Sequence, residues 1–352
     1  MNKPLSVTGW DIGGANVKAV RLDRTASQPE RLRVVSRPFE LWRDPDGLEQ
    51  VLAQLGSELD APHTEALGLT MTAELADVFR SKAQGVEFIC RTVAQVFPNL
   101  LVLALNVSSQ QWRPLQDVFA RPLDFAANNW MASALYLASS HPDAVFIDVG
   151  STTTDIIPIR SGRVAARGRT DTDRLTCGEL VYTGVLRTNP NTVTGTIPIK
   201  GLPCRVADEL FARMADVHLL LGRITEDEYS CPTADGRGKS LEEAAGRLAR
   251  VVCADSDVLP SGQIVTLSRY LFECQLNRIA QGLHQVLSAW DGPEPPILLS
   301  AGSGAFMVKE LARRLGFPVL DPLPHMDRHA KAVLPALGAA SLVADLVQGN
   351  AP

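Results

Sequence analysis

Apolar and polar positions follow two rhythms along this chain. The short apolar runs LSVTGWDI, VKAVRL, ALGLTM, LLVLALNV, AVFIDVG, TDIIPIR and PILLSAG have the length and bounding turns of strands. Between them, aliphatic residues return every three or four positions. In DGLEQVLAQLGSEL (46–59) they fall on one helical face, and FAANNWMASALYLASS (125–140) is small and apolar enough for a closely packed helix. The stretch from about Ser261 to Trp290 reads as one long helix, and KAVLPALGAASLVADLV closes the chain as a helix of small residues. Strands alternating with helices predict an α/β fold. From about Arg167 the texture changes. TGTIPIKGLPCRVADEL predicts short strands before a helix, and TEDEYSCPTADGRGKS (225–240) is a polar, Gly-containing insertion with the character of a mobile loop.

One pattern occurs twice. GWDIGGANVKAVRL, from Gly9, and FIDVGSTTTDIIPI, from Phe146, each run strand, Asp, one residue, Gly, small polar turn, strand. Gly has no Cβ, so the N–H groups of such a turn can approach an anion closely. An Asp cannot attract phosphate, but it can hold a cation, and Mg²⁺ prefers a carboxylate together with waters and phosphate oxygens. Two such hairpins facing each other from two domains would clamp a Mg-polyphosphate. Asp11 and Asp148 would lie at the metal, and Gly13, Gly14, Gly150, Ser151 and Thr152 would line the anion. Lys18 is either a fixed positive charge at the phosphates or an edge-strand lysine.

At 352 residues the chain exceeds a usual single core, so two domains of roughly 150 residues are expected. Hydrophobic residues make up 45% and charged residues 21%, as in ordinary globular proteins. With a net charge of −5 and its Lys and Arg scattered among acids, the chain offers no basic face for nucleic acid. The N-terminus runs into a strand without a basic-then-apolar leader, and no apolar run reaches the ~18 residues of a membrane helix, so neither membrane nor nucleic acid is an expected partner and the expected location is cytoplasmic. The six cysteines form no C-x-x-C pair and read as buried reduced thiols.

ILLSAGSGAFMVKELARRLG (297–316) supplies a third element: a buried strand, a Gly302-x-Gly304 turn and an amphipathic helix whose start suits a negative group. GRGKS (236–240) resembles the end of a P-loop, but Thr233 stands where the first Gly belongs and no buried strand precedes it. Ser240 and Glu243 instead have the spacing of a capping box. Arg237 and Lys239 still lie on a Gly-flanked loop from which they can close over phosphates.

The order acidic hairpin, small-residue helix, acidic hairpin, Gly-turn helix, ALGAAS helix is similar to that of the actin, Hsp70 and sugar-kinase superfamily. This resemblance implies a two-domain actin/Hsp70/hexokinase-like (ASKHA) fold with an interdomain phosphate-binding cleft. One domain would comprise 1–140 with the C-terminal helix at about 329–352, and the other about 141–328, with an inserted loop at about 222–240. GLTMTAELADVF, GELVYTGVLRTNP and TADGRGKSLEEAAGRLARVVCAD, together with the first hairpin, resemble a narrower group. These are the hydantoinase/oxoprolinase-type proteins linked to tetrahydromethanopterin one-carbon transfer, whose archaeal members make the aryl ether of methanofuran.

That resemblance implies a Mg²⁺-dependent transferase. It would join an aminomethylfuran-methyl diphosphate to the phenol oxygen of a tyramine- or tyrosine-type acceptor and release diphosphate; bacterial relatives are implied to serve methylofuran. Ala15 and Asn16 occupy the place of the superfamily's usual loop hydroxyl, with Asn16 left among the phosphate-side residues, so ATP is the less favoured cargo. The phenol needs a proton acceptor. Glu74, followed by Asp77 in TMTAELAD, is the first choice, its alternative being a helix-start charge. His218 reads as a packed histidine rather than a base, and the RTDTD run (169–173) as a solvated turn rather than a substrate contact. Tyr182 and Arg187 are either contacts for an aromatic acceptor and a carboxylate or part of a domain-joining helix. The competing functions are an ATP-using kinase or amide hydrolase of the same fold, and a non-catalytic nucleotide-dependent switch.

Overall fold

The computed structural model describes residues 5–25, 30–255, 257–326 and 331–349. The chain divides into two compact units. The first comprises Met1–Asp143, Ile159–Asp171 and Leu323–Pro352, and the second Ala144–Pro158 and Thr172–Pro322.

The first unit is built on a six-stranded sheet of spatial order β3-β2-β1-β4-β5-β6. Its strands are β1 (Leu5–Ile12), β2 (Asn16–Arg24), β3 (Arg31–Pro38), β4 (Ala66–Met71), β5 (Leu101–Asn106) and β6 (Gln111–Pro114). β1, β4 and β5 run parallel, while β2, β3 and β6 are antiparallel to their neighbours. All six residues of β4 are buried, because the strand lies inside the sheet with both faces covered. Helix α1 (Leu48–Glu58) buries Leu48, Leu52 and Leu55 on one face, each contributing about 1.5–3 kcal/mol. Helix α2 (Lys82–Val96) is capped by Ser81, whose Oγ accepts the Gln84 N–H at 3.3 Å. The short α3 (Leu115–Ala120) follows β6.

The other face is covered by α4 (Asn129–Ala138) and the C-terminal helix α10 (Leu334–Val347), whose small residues allow close packing. A Cβ on Gly9 would lie 1.9 Å from Ala336 O, one on Gly68 2.8 Å from Ala339 O, and one on Gly338 2.6 Å from Ala132 O. Gly is required at all three contacts. The expected C-terminal span of 329–352 includes 329, 330 and 350–352, which lie outside the described residues.

The second unit carries a sheet of order β10-β8-β7-β13-β14. It contains β7 (Ala144–Val149), β8 (Thr154–Arg160), β10 (Leu180–Val181), β13 (Leu298–Ala301) and β14 (Val319–Leu320), and β9 (Arg163–Val164) pairs with the end of β8. A separate hairpin joins β11 (Thr196–Ile199) to β12 (Leu202–Arg205). The helices are α5 (Asp171–Cys177), α6 (Met214–Leu220), α7 (Leu241–Arg250), α8 (Ser261–Leu287) and α9 (Ala305–Leu315). α7 begins with the expected capping box: Ser240 Oγ accepts the Glu243 N–H and Glu243 Oε2 accepts the Ser240 N–H. Gly316, at φ 76°, ends α9.

Four expectations need correction. The edge strands β3 and β6 lie outside the predicted apolar runs because RLRVVSRP and QWRP are half polar, as suits an edge. No helix follows β12 directly: the Asn191 amide takes the Ala207 and Glu209 carbonyls, and the Ala207 N–H donates to Val251 O at 2.8 Å. The 225–240 insertion is tied down from beneath, because buried Arg247 donates to Asp235 Oδ1 at 3.2 Å and Gly238 O at 3.0 Å. Of the six free thiols only Cys90 and Cys231 are buried, and Cys253 is exposed. Among the described residues no helix is long and apolar enough to cross a membrane.

Candidate functional site

The first hairpin joins β1 to β2 in a register that places Asp11 opposite Lys18. Its turn is closed by the Gly13 N–H donating to Asn16 O at 3.0 Å. Successive strand residues face opposite ways, so Asp11 shares the face of Gly9, over which α10 packs. The parallel pairing of β1 with β4 sets Gly9 beside Gly68 and Asp11 beside Thr70. A row of glycines under the helix thus continues into a polar row. Asp11 is 4% exposed, and its buried Oδ1 has no hydrogen-bond partner among the described residues. Burial pushes its pKa up, and Lys18, Thr70 and Asn129 pull it back. A Cβ on Gly14 would meet nothing within 4 Å, so the turn is open at its tip.

The second hairpin joins β7 to β8 and repeats the closure, with the Gly150 N–H donating to Thr153 O at 2.9 Å. Its surroundings differ. The Val185 N–H donates to Gly150 O at 2.9 Å, and the Leu186 and Arg187 N–H groups donate to Ser151 O at 3.0 and 2.9 Å. A Cβ on Gly184 would fall 2.5 Å from Thr152 N, so the bracing segment lies against the turn. Gln275 holds that segment, donating from Nε2 to Thr183 Oγ1 at 2.9 Å and to Gly184 O at 2.8 Å. With Nε2 committed as donor, Gln275 Oε1 must accept, so His218 donates to it from Nε2 at 2.9 Å. Burial lowers the His218 pKa to about 4, and the ring is neutral.

Asp148 is half-buried and pairs across the sheet with Ala301 of β13. Gly302 follows at φ 79°, and a Cβ there would lie 2.2 Å from Asp148 Oδ1. The Gly304 N–H donates to Val149 O at 2.9 Å, which fixes the start of α9 to the same strand end.

Glu74 lies in a short 3-10 turn (Ala73–Leu75) after β4 and is 1% exposed, with Oε2 unpartnered. Burial raises its pKa to about 7; Lys82 lowers it and Asp171 raises it. Lys82 and Asp171 form an ion pair of 2.5 Å. Gly85 on α2 permits this packing, since its Cβ would lie 2.3 Å from Glu74 O. A carboxyl that changes charge near neutrality can exchange a proton at physiological pH.

The sequence pattern of the hydantoinase/oxoprolinase family matches residues 65–348. The chain belongs to that family. Two relatives bear the name (4-{4-[2-(gamma-L-glutamylamino)ethyl]phenoxymethyl}furan-2-yl)methanamine synthase. The one from Methanocaldococcus jannaschii is 34% identical over 288 residues, 82% of this chain and 83% of the relative. The one from Methanococcus vannielii is 34% identical over 144 residues, 41% of this chain and 64% of the relative. Among solved structures, nucleotide-free acetone carboxylase aligns with a TM-score of 0.56 and 11% identity over 97% of this chain and 70% of that one, a likeness of fold alone. This hydantoinase/oxoprolinase family member has the two-domain actin/Hsp70/hexokinase-like fold.

In the family member, Asp11, Gly13, Gly14, Asn16 and Lys18 share the first hairpin, and Asp148, Gly150, Ser151 and Thr152 share the second with Gly302 and Gly304 at its side. Arg237 is exposed, with its N–H bound to Asp235 Oδ1, and Lys239 sits over the Tyr229 ring at 5.5 Å. Tyr182 and Arg187 do not lie on a helix, because the backbone of 185–187 is spent on the second turn. RTDTD is not simply solvated: Asp171 begins α5 and pairs with Lys82, and Arg169 Nη1 is buried without a partner. His218 is the packed histidine expected. Sequence reasoning missed Thr70, Asn129, Lys82 and Gln275. A Thr within the apolar ALGLTM and the paired Asn before WMASAL were signals for the first two.

No group of three potential metal-ligating side chains occurs among the described residues. An Mg²⁺ site needs no such group, since the ion keeps several waters and is held by one or two carboxylates with phosphate oxygens. The orphaned Asp11 Oδ1 is the feature that fits it.

Proposed function

We propose that this protein is a transferase of methanofuran-type biosynthesis. It would join an aminomethylfuran-methyl diphosphate to the phenol oxygen of a tyramine-type acceptor, with release of diphosphate. The observation that carries this reading is a buried Asp11 carboxyl whose Oδ1 has no hydrogen-bond partner among the described residues, beside an open glycine turn, in a chain 34% identical to a named aryl-ether synthase. In the reaction the C–O bond to diphosphate breaks with its electron pair leaving on the diphosphate, and the phenol oxygen forms a new bond to the same furfuryl carbon. The furan ring stabilises positive charge at that carbon, so neutralising the leaving group is the dominant demand.

Asp11 in the first unit and Asp148 in the second are each assigned as a carboxylate that would take Mg²⁺, which when bound supplies charge neutralisation to the departing diphosphate. Gly14, Ser151 and Thr152 would present backbone N–H groups to phosphate oxygens, whereas the N–H groups of Gly13 and Gly150 are already spent on closing their own turns and shape those turns instead; Asn16, Lys18, Gly302 and Gly304 are assigned alongside. Glu74 takes the phenol proton. A carboxylate with a pKa near 7 is a far better partner for a phenol of pKa about 10 than an ordinary one. Arg237 and Lys239 are assigned to closing over the diphosphate, which requires Lys239 to leave the Tyr229 ring.

The test supplies the diphosphate ester, a tyramine derivative and Mg²⁺ without nucleotide. The expected result is aryl ether and one diphosphate per turnover. No ether without ATP, together with stoichiometric ADP when ATP is added, overturns the reading in favour of a kinase-like activity.

A further inference from the structure

Beside the second hairpin turn lie two arginines, Arg187 and Arg213, that no acid pairs with among the described residues. Arg213 donates from Nη1 to Arg187 O at 3.3 Å, and its Nε is buried without a partner. The Arg187 N–H is bound to the turn through Ser151 O, so Arg187 is carried on the turn's bracing segment, and Arg213, at the start of α6, is held against that segment by its bond to Arg187 O and by the Met214 N–H donating to Thr188 O at 2.8 Å. Asp216, which accepts the Arg213 backbone N–H at 3.0 Å, does not neutralise them. Its Oδ1 already takes Arg247 Nε and Nη2 at 3.0 and 2.8 Å and the Tyr229 hydroxyl at 3.2 Å. Arg247 and Asp216 are both fully buried and cancel each other's charge. Arg187 and Arg213 make no ion pair among the described residues, and both act on one buried thiol, Cys231, lowering its pKa against the upward push of burial.

Two half-buried arginines held against one segment repel each other and have lost part of their hydration. The arrangement becomes favourable when a multiply charged oxyanion bridges them, because each guanidinium offers a planar fork of N–H donors. A diphosphate has the charge and the number of oxygens to occupy two forks. A single carboxylate does not.

We propose that Arg187 and Arg213 form an oxyanion subsite that takes the phosphoryl oxygens of a diphosphate group at the Ser151–Thr152 turn. This deepens the proposed function and rests on its polyphosphate part, not on its ether chemistry.

Inorganic diphosphate with Mg²⁺, titrated into the full chain by calorimetry, tests it. Wild type should bind, and Arg187→Met and Arg213→Met should each weaken binding by about tenfold or more. Among the described residues the Arg187 side chain donates no hydrogen bond, so Arg187→Met decides the matter if Arg213→Met fails to fold. Wild-type affinity in folded Arg187→Met overturns the proposal. So does a loss confined to a γ-glutamyl tyramine ligand, which assigns the pair to a carboxylate. If the wild type binds ATP but not diphosphate, and both variants weaken ATP, the phosphoryl subsite stands and the ether-synthase reading falls. A wild type that binds neither anion overturns both.

Discussion

The two acidic hairpins are alike in sequence and in turn closure, yet the chain treats them oppositely. The first buries Asp11 with one oxygen unsatisfied and leaves its turn open at Gly14. The second is braced: three N–H donors from 185–187 occupy its carbonyls, and the relay from His218 through Gln275 holds the bracing segment. The position of Lys18 in the first hairpin corresponds to Asp155 in the second, and Asp155 is paired with buried Arg174 at 2.6 Å. One hairpin stores an unmet charge, and the other stores rigidity. A buried carboxylate of raised pKa costs stability, whereas a satisfied backbone network supplies it.

The largest expected effect separates the two aspartates. Asp11→Asn and Asp148→Asn should each lower turnover by about a hundredfold or more, since an amide is a poor Mg²⁺ ligand and loses the charge facing the diphosphate. Their stabilities should diverge. The raised pKa of Asp11 makes its ionised form a burden above the ordinary carboxylate range, so Asp11→Asn should be more stable than wild type at pH 7. Denaturant titration of both variants reads the difference, and an Asp11→Asn protein less stable than wild type breaks the comparison.

Glu74 and His218 should give opposite pH slopes of comparable size. Glu74 rises from 4.5 to about 7 on folding, so the native state holds a proton the unfolded chain has lost, and stability falls as pH rises across that window. Glu74→Gln should remove this slope and stabilise by about 3 kcal/mol at pH 8, with little change at pH 4. The same variant should slow ether formation, and higher pH should partly restore the rate as phenolate accumulates. Unchanged kinetics would return Glu74 to a helix-start charge. His218 falls from 6.5 to about 4, so its contribution is full above pH 6.5 and is lost as pH drops through the folded value. His218→Gln should flatten the acid limb of unfolding, and an unaltered acid limb removes the histidine from the brace.

The smallest effects should come from two glycines. Gly184→Ala drives a methyl into Thr152 N and Gly150 O, so a loss of about 1–3 kcal/mol is expected. Gly14→Ala meets nothing within 4 Å and should leave the melting temperature close to wild type while weakening diphosphate binding. Equal destabilisation by both would mean the first turn is as braced as the second.

Periodicity alone located the seven apolar strands, the helices at 46–59, 125–140 and 261–290, and the capping box at Ser240. These features depend on residues adjacent in the chain, where hydrophobic alternation and local hydrogen bonding act directly. The repeated Asp-x-Gly turn was legible for the same reason. The sequence could not disclose that Asp11 is buried beside Thr70 and Asn129, since that follows from β1 pairing with β4 and from α10 packing over Gly9 and Gly68. Nor could it disclose Lys82 and Asp171 about Glu74, the His218–Gln275 relay, or Arg213 beside Arg187. Burial and charge pairing depend on which distant segments the sheet and helices bring together, so the pKa of a carboxyl and the partner of an arginine were decided only when the chain folded.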